Sequence, residues 1–372
     1  MKRVIVLGST GSVGISALDI IKNNPDDFQL VAISANTKQY ELLLQAKDFK
    51  VENIALSGKK PESPLIKFHG AKSVNRLIQE TDADIVVNGI SGAVGLAPSV
   101  TALETGKDLA LANKETMVMA GSLIKELASK KGKRILPVDS EHSALFYLLE
   151  GKKKEHIEEI IITASGGPFR GYNREKLLKV TREQAMKHPT WDMGYKITID
   201  SATLANKGLE VIEAWRLFDI DLEKIKVLVH PQSYIHSIIR TTDLAMYAQI
   251  SNPDMRLPIQ NALFYPDMKP VSCSFLDLAG KSLMFENPDF DNFPMLSLAY
   301  QSARSSKSYP IVYNAVNEIA VEAFVNNEIS FVEIPEITET VLSKNWDREP
   351  TSFEEVLEID KIARSFAKES IK

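Results

Sequence analysis

Two short segments concentrate the residue types that could do chemistry. Asp139-Ser140-Glu141-His142-Ser143 follows an apolar run at Ile135–Val138, and Asn206-Lys207-Gly208-Leu209-Glu210 lies inside a longer helical pattern. Asp139, Glu141 and Glu210 together would make an all-oxygen site suited to Mg²⁺ or Mn²⁺. Hard cations prefer carboxylates, and the single cysteine, Cys273, leaves no thiolate cluster to compete. Each segment also has a plainer explanation. Asp139 or Ser140 would cap a helix continuing through Leu145–Leu149, with Glu141 complementing its dipole. Ser201 would cap a helix reaching Phe218, on which Asn206, Lys207 and Glu210 share one face. A Lys207–Glu210 surface pair contributes only about 0.3 kcal/mol. It does not account for Gly208 inside the helix, which costs about 1 kcal/mol relative to alanine. A close backbone approach at Gly208 would. Spacing alone leaves open whether the three acids meet.

A third segment points to a nucleotide. Gly8-Ser9-Thr10-Gly11-Ser12-Val13-Gly14 directly follows the apolar run Val4–Leu7 and precedes a helical pattern with Ile15, Leu18 and Ile21. Glycines let the backbone turn tightly and approach a pyrophosphate, while the free N–H groups and positive dipole end of the helix attract the anion. Glycines by themselves mark only a tight turn; their place between a first strand and a helix is what suggests a dinucleotide. The second strand ends in Ser34-Ala35-Asn36-Thr37-Lys38, without the carboxylate that usually receives the ribose hydroxyls of NAD. Hydroxyl, amide and ammonium donors there suit a 2′-phosphate, so NADP is favoured over NAD; a merely polar loop is the alternative.

These segments need elements to hold them. Strand-like runs at Val4–Leu7, Leu30–Ser34, Asp84–Gly89, Leu109–Ala112 and Ile135–Val138 alternate with helical patterns such as Gly14–Asn23 and Ala71–Glu80. That rhythm predicts an α/β fold beginning with a Rossmann-like parallel sheet over residues 1–138. Asp139 then falls at the sheet's C-terminal edge, where open α/β folds bind ligands. Strand-like runs at Glu159–Thr163, Lys226–Val229, Ile235–Ile239 and Ala245–Ile250 predict an α+β catalytic domain over 139–265. Residues 266–294, holding four prolines without periodicity, read as a connecting arm, and 295–372 as a small helical C-terminal domain.

Composition narrows the function classes. With 44 basic and 49 acidic residues the formal charge is −5, so there is no electrostatic case for binding nucleic acid. No apolar stretch approaches the length of a membrane span, and the run behind Met1-Lys2-Arg3 is too short for a secretion signal. One cysteine in 372 residues fits a reducing compartment, so a cytoplasmic protein is expected.

Further motifs follow in order: NGISGAVGL at 88–96, ANKE at 112–115, PVDSEHSA at 137–144, TASGGPF at 163–169, HPTWDMG at 188–194 and KITIDSATLANKGLE at 196–210. HPQSYIHS at 230–237, PDMR at 253–256 and NAVNEIAVEAF at 314–324 complete the series. Together with the glycine loop they closely resemble the 1-deoxy-D-xylulose 5-phosphate reductoisomerase family over essentially the whole chain. The resemblance implies an NADPH- and metal-dependent enzyme of non-mevalonate isoprenoid biosynthesis, working as a homodimer. It implies that Asp139, Glu141 and Glu210 ligate the metal, and that Lys114, Ser140 and Glu141 face the ketone and hydroxyls of the substrate. Ser165, His188, Ser201, Asn206 and Lys207 would hold the substrate phosphate and neighbouring hydroxyls. Residues 165–194 would form a mobile flap, with Trp191 and Met193 covering the substrate. Lys114, Glu141 and His188 would be the catalytic groups. On the cofactor side it implies Thr10, Gly11, Ser12 and Val13 at the pyrophosphate, Ala35, Asn36 and Lys38 at the adenosine end, Asn113 and Glu115 on the nicotinamide-ribose side, and Gly194 as another cofactor contact. Loop 35–38 lacks the glycine that commonly follows the alanine in the family, which leaves the partners of the 2′-phosphate open.

Two other readings remain. Tyr172-x-x-x-Lys176 has the spacing of a short-chain dehydrogenase, although no buried helix leads into it. A dinucleotide-sensing regulator would carry the glycine loop without convergent metal ligands. Away from the site, His230 and His236 are expected to make structural hydrogen bonds.

Overall fold

The computed structural model describes residues 1–191, 194–270 and 273–371. They form two compact units. The first comprises Met1–Thr116, Ile124–Ser143 and Asp254–Cys273; the second comprises Met117–Leu123, Ala144–Pro253 and Ser274–Lys372.

The first unit is built on seven parallel strands: β1 (Lys2–Leu7), β2 (Phe28–Ala35), β3 (Asn53–Leu56), β4 (Phe68–His69), β5 (Ile85–Asn88), β6 (Asp108–Leu111) and β7 (Ile135–Pro137). Their order is β4-β3-β2-β1-β5-β6-β7. Val4, Ile5, Val6 and Leu7 are all buried, because a strand at the centre of a parallel sheet is covered on both faces. The order reverses between β1 and β5, so a crevice opens beyond their C-terminal ends. The five expected strands are present. β3 and β4 add to them. In the Ser12–Asn23 helix Leu18 and Ile21 face the core, whereas Ile15, expected with them, is 55% exposed.

Residues Asp254–Cys273 also belong to the first unit, although the sequence groups 254–265 with the catalytic segment. The Arg256–Phe264 helix packs against the Ser12–Asn23 helix and strands β6 and β7. Ile259, Leu263 and Phe264 are buried, and the Phe264 ring meets Phe28 edge-on at 4.6 Å. Nothing local in a nine-residue apolar helix says which sheet it will cover.

The second unit carries β8 (Ile157–Ala164), β9 (Ile225–Val229), β10 (Ile235–Thr241) and β11 (Met246–Ile250), in the order β11-β10-β8-β9. β10 runs antiparallel to β8 and β11, and β8 runs parallel to β9. The helices Met295–Ser305, Tyr309–Val325, Glu333–Leu342 and Phe353–Ile371 follow, as expected from residues 295–372.

One expected helix is two. Tyr195–Ala202 and Ala205–Phe218 are separated at Leu204, whose φ of 61° is left-handed. Ser201 therefore lies in the last turn of the first helix and is not the cap of the second. Gly208 has the close approach that its position suggests. A Cβ there would lie 2.6 Å from both the Ala299 Cβ and the Tyr313 hydroxyl, so the glycine lets the Ala205–Phe218 helix pack tightly on its neighbours. Among the described residues no helix is long and apolar enough to cross a membrane.

Candidate functional site

In the first unit the glycine loop lies at the mouth of the β1–β5 crevice. Gly8, at φ +70°, packs so closely that a Cβ would lie 2.9 Å from the Gly89 carbonyl oxygen. Gly14 lies against the loop itself. Gly11 differs: a Cβ would meet only the Gly8 oxygen at 3.4 Å, so this glycine keeps the approach to the helix start clear. Gly11 and Ser12 are exposed and Thr10 and Val13 half-buried, and no side chain caps the helix at Gly11. Such a cradle of free backbone N–H groups fits a pyrophosphate.

The second loop divides its labour differently from the expectation. Ser34 is buried, and its hydroxyl accepts a hydrogen bond from the Gly8 N–H at 3.2 Å while its carbonyl accepts from the Ser9 N–H at 2.8 Å. It braces the glycine loop. Ala35 also points inward, whereas Asn36, Thr37 and Lys38 are exposed.

Asn113 and Glu115 are buried. The Asn113 Oδ1 accepts from the Thr116 N–H and hydroxyl, at 3.0 and 2.6 Å, and so caps the Lys114–Lys131 helix. Its Nδ2 donates to the carbonyls of Ile90 and Gly92, at 2.8 and 2.9 Å, and to Glu115 at 2.9 Å. A buried network sequence reading missed continues from there: Ser99 links Thr116, at 3.1 Å, to Asn88, at 2.8 Å. The NGISG motif at 88–92 and ANKE at 112–115 are thus parts of one hydrogen-bonded loop system.

The next residue, Lys114, pairs with Asp139 at 2.5 Å, their side chains 6% and 14% exposed. Burial opposes ionisation of Asp139. The Lys114 ammonium, His142 and hydrogen bonds to Glu141 and Lys114 outweigh it and hold the carboxyl well below the usual range. The Asp139 carbonyl accepts from the Ser143 N–H at 2.8 Å, so the residue starts the Ser140–Leu149 helix with its backbone while its carboxylate faces Lys114. Ser140 donates to Glu141 at 2.5 Å.

In the second unit, His188 gathers two other expected phosphate-side residues, Ser165 and Ser201. Its Nε2 lies 3.0 Å from the Ser165 hydroxyl and 3.1 Å from that of Ser201, and its Nδ1 accepts from the backbone N–H groups of Thr190 and Trp191 at 3.1 and 2.9 Å. Gly167, at φ +67°, allows this meeting: a Cβ would lie 2.7 Å from the Ser201 carbonyl oxygen. With Nδ1 accepting twice, the neutral ring carries its proton on Nε2, toward the two hydroxyls. Burial lowers the His188 pKa to about 4. The unfolded chain, with a value of about 6.5, therefore takes up the proton first as pH falls. The stability contributed by the neutral ring is complete above about pH 6.5 and is lost progressively toward about pH 4. Denaturant unfolding of the wild type and His188→Gln across that window should show a flatter profile for the variant; parallel profiles would contradict the buried neutral histidine.

On the Ala205–Phe218 helix, Asn206 donates to Glu210 at 2.5 Å and Lys207 pairs with the same carboxylate, so the shared face is as expected. The setting is not a surface: Lys207 and Glu210 are 4% and 1% exposed. A second buried carboxylate, Asp200, receives Lys196 and Asn317, each at 2.8 Å, and fastens the Tyr195–Ala202 helix to the Tyr309–Val325 helix. Gly194 precedes the first of these helices, and Thr198 donates to its carbonyl at 3.0 Å.

The expected flap carries two short helices, Arg174–Leu177 and Arg182–Ala185, the second with a capping box from Thr181 and Gln184. Trp191 is half-buried, and Met193 lies outside the described residues. Tyr172 precedes the Asn173 cap and lies under the Lys176 ammonium at 5.5 Å, so the two do not share the long helix that a Tyr-x-x-x-Lys dehydrogenase site needs. His230 is structural: its Nδ1 meets the Met284 carbonyl at 2.8 Å and its ring stacks on Phe285 at 4.9 Å.

Comparison with known proteins covers the whole chain. Residues 4–121 match the profile described as 1-deoxy-D-xylulose 5-phosphate reductoisomerase, and 135–218 and 250–366 match two described as C-terminal domains of that enzyme. The 1-deoxy-D-xylulose 5-phosphate reductoisomerase of Treponema denticola is 48% identical over 370 residues, covering 98% of this chain and 96% of the relative. That of Clostridium perfringens is 44% identical over 379 residues, covering 98% of each. Among solved structures, the Zymomonas mobilis enzyme in complex with NADPH is 39% identical with a TM-score of 0.92, covering 100% of this chain and 99% of that one. A DOX-P reductoisomerase in complex with NADPH, fosmidomycin and magnesium is 35% identical, also with a TM-score of 0.92, covering 100% and 98%.

Proposed function

The chain belongs to the 1-deoxy-D-xylulose 5-phosphate reductoisomerase family, and from that membership we propose that it isomerises 1-deoxy-D-xylulose 5-phosphate and reduces the product with NADPH to 2-C-methyl-D-erythritol 4-phosphate. The observation that carries the proposal is identity of 44 to 48% with relatives of that activity over nearly their whole length. The chain's residues fit the two groups the reaction requires. The glycine loop of the first unit suits a dinucleotide pyrophosphate, and Asp139, Glu141 and Glu210 offer one carboxylate oxygen each, the donor chemistry of Mg²⁺ or Mn²⁺. Bound there, the cation would supply Lewis acidity and NADPH the two electrons of reduction.

The chain's own side chains then have distinct tasks. Lys114 brings positive charge beside Asp139, where oxygen charge develops as the ketone rearranges. Glu141 and Lys114 are the groups for the proton movements that carbon–carbon cleavage and rejoining require. The Nε2–H of His188 and the hydroxyls of Ser165 and Ser201, with Asn206 and Lys207, hold the phosphate end, so binding energy remote from the reacting carbons orients them. Trp191 and the described parts of 165–194 exclude water. Loss of NADPH absorbance on adding the substrate to purified protein, abolished by EDTA and restored by Mg²⁺ or Mn²⁺, tests the reading. Binding of NADPH with no turnover under any metal would favour a nucleotide sensor instead.

A homodimer in the cytoplasm completes the proposal. Among the described residues β11 ends its sheet and carries exposed Met246, Tyr247 and Ile250, an apolar edge that a second copy would cover. Light scattering should return twice the 41.4 kDa chain mass, and a monomer would refute it.

A further inference from the structure

We propose that Lys59 and Lys60, on the turn after β3, bind the 2′-phosphate of NADPH together with Asn36, Thr37 and Lys38, and so set the preference for NADPH over NADH. This rests on the reading of the chain as an NADPH enzyme. β2 and β3 end side by side, with Ala35 opposite Leu56. Beyond them the two loops stay joined: the Ser57 N–H donates to the Ala35 carbonyl at 3.1 Å, and the Gly58 N–H to the Asn36 carbonyl at 2.9 Å. The Ser57 hydroxyl donates to the Asn36 Oδ1 at 3.3 Å, and the Glu62 N–H to the Gln39 Oε1 at 2.9 Å. The Asn36 side chain lies directly against Gly58, where a Cβ would fall 2.0 Å from its Oδ1. The two loops therefore form one surface at the end of the second strand, where a dinucleotide fold receives the adenosine ribose.

That surface is cationic. Lys38, Lys59 and Lys60 are exposed on it. The facing carboxylate is Glu62, 3.8 Å from Lys59, a loose and largely solvated pair that a phosphate dianion can displace. Residues 34–38 contain no acid to receive the hydroxyls of an unphosphorylated ribose. Attraction to the 2′-phosphate and indifference to NAD thus follow from the same loops.

The test is equilibrium binding to the full chain, followed by nicotinamide fluorescence. NADPH should bind the Lys59→Ala/Lys60→Ala variant about five- to twentyfold more weakly than the wild type, with NADH changed by less than about twofold. Added salt should erode the wild-type preference more than that of the variant. Unchanged NADPH affinity, or equal loss for both nucleotides, would overturn the assignment. NADH binding also reports that the variant is folded. A wild type that prefers NADPH beside a variant that still does sinks this assignment alone; a wild type that binds neither nucleotide sinks it together with the proposed function.

Discussion

Glu210→Gln should turn over 1-deoxy-D-xylulose 5-phosphate about a hundred- to a thousandfold more slowly than the wild type, the scale of losing one electrostatic contributor to a charged transition state. Glutamine keeps the shape of Glu210 and can still accept from Asn206, but it supplies no charge to a cation. It also weakens the compensation of the buried Lys207 ammonium, so stability should fall by about 1–3 kcal/mol. Helical circular dichroism should survive. Magnesium affinity measured by calorimetry should drop in the same variant, which separates a lost ligand from a damaged fold. Undiminished turnover would refute the metal assignment for Glu210, and with it the joint role of Asp139 and Glu141.

Gly14→Ala should cost at least about a hundredfold in NADPH affinity and about 2–4 kcal/mol in stability, because its collision has no flexible partner. The added Cβ would lie 2.3 Å from the Gly8 oxygen and 2.4 Å from the Ser9 Cα, both backbone atoms. Gly8 cannot retreat, since it is already packed against Gly89. The loop must therefore deform, and the row of N–H groups at the helix start deforms with it. Gly11→Ala is the control: its Cβ meets the Gly8 oxygen at an ordinary 3.4 Å, so stability should hold while binding falls. Full NADPH affinity in Gly14→Ala would show that the loop does not cradle the pyrophosphate.

Much of the first unit was legible because local pattern and position coincide there. An apolar run, three glycines and an amphipathic helix are adjacent in the chain, and their geometry depends mainly on one another. The same holds for the face shared by Asn206, Lys207 and Glu210, which follows from helical spacing alone. Ser201 shows where this stops. Its cap chemistry predicts a helix start, yet it ends a helix, because the left-handed Leu204 moves the break by three residues. Ser34 adds a task that its position in the sequence does not reveal: its hydroxyl oxygen braces Gly8.

Residue order therefore specified the strand–loop–helix units, the acids and the donors, since turns, caps and periodicities act over a few neighbouring positions. Other properties arose only when distant segments packed. Among them are the return of 254–273 to the first sheet, the burial of Lys207 with Glu210, the contact of His188 with Ser165 and the junction of loops 35–38 and 57–60. Each depends on partners 20 or more residues away, or on solvent being excluded by them, and no local pattern encodes who those partners are.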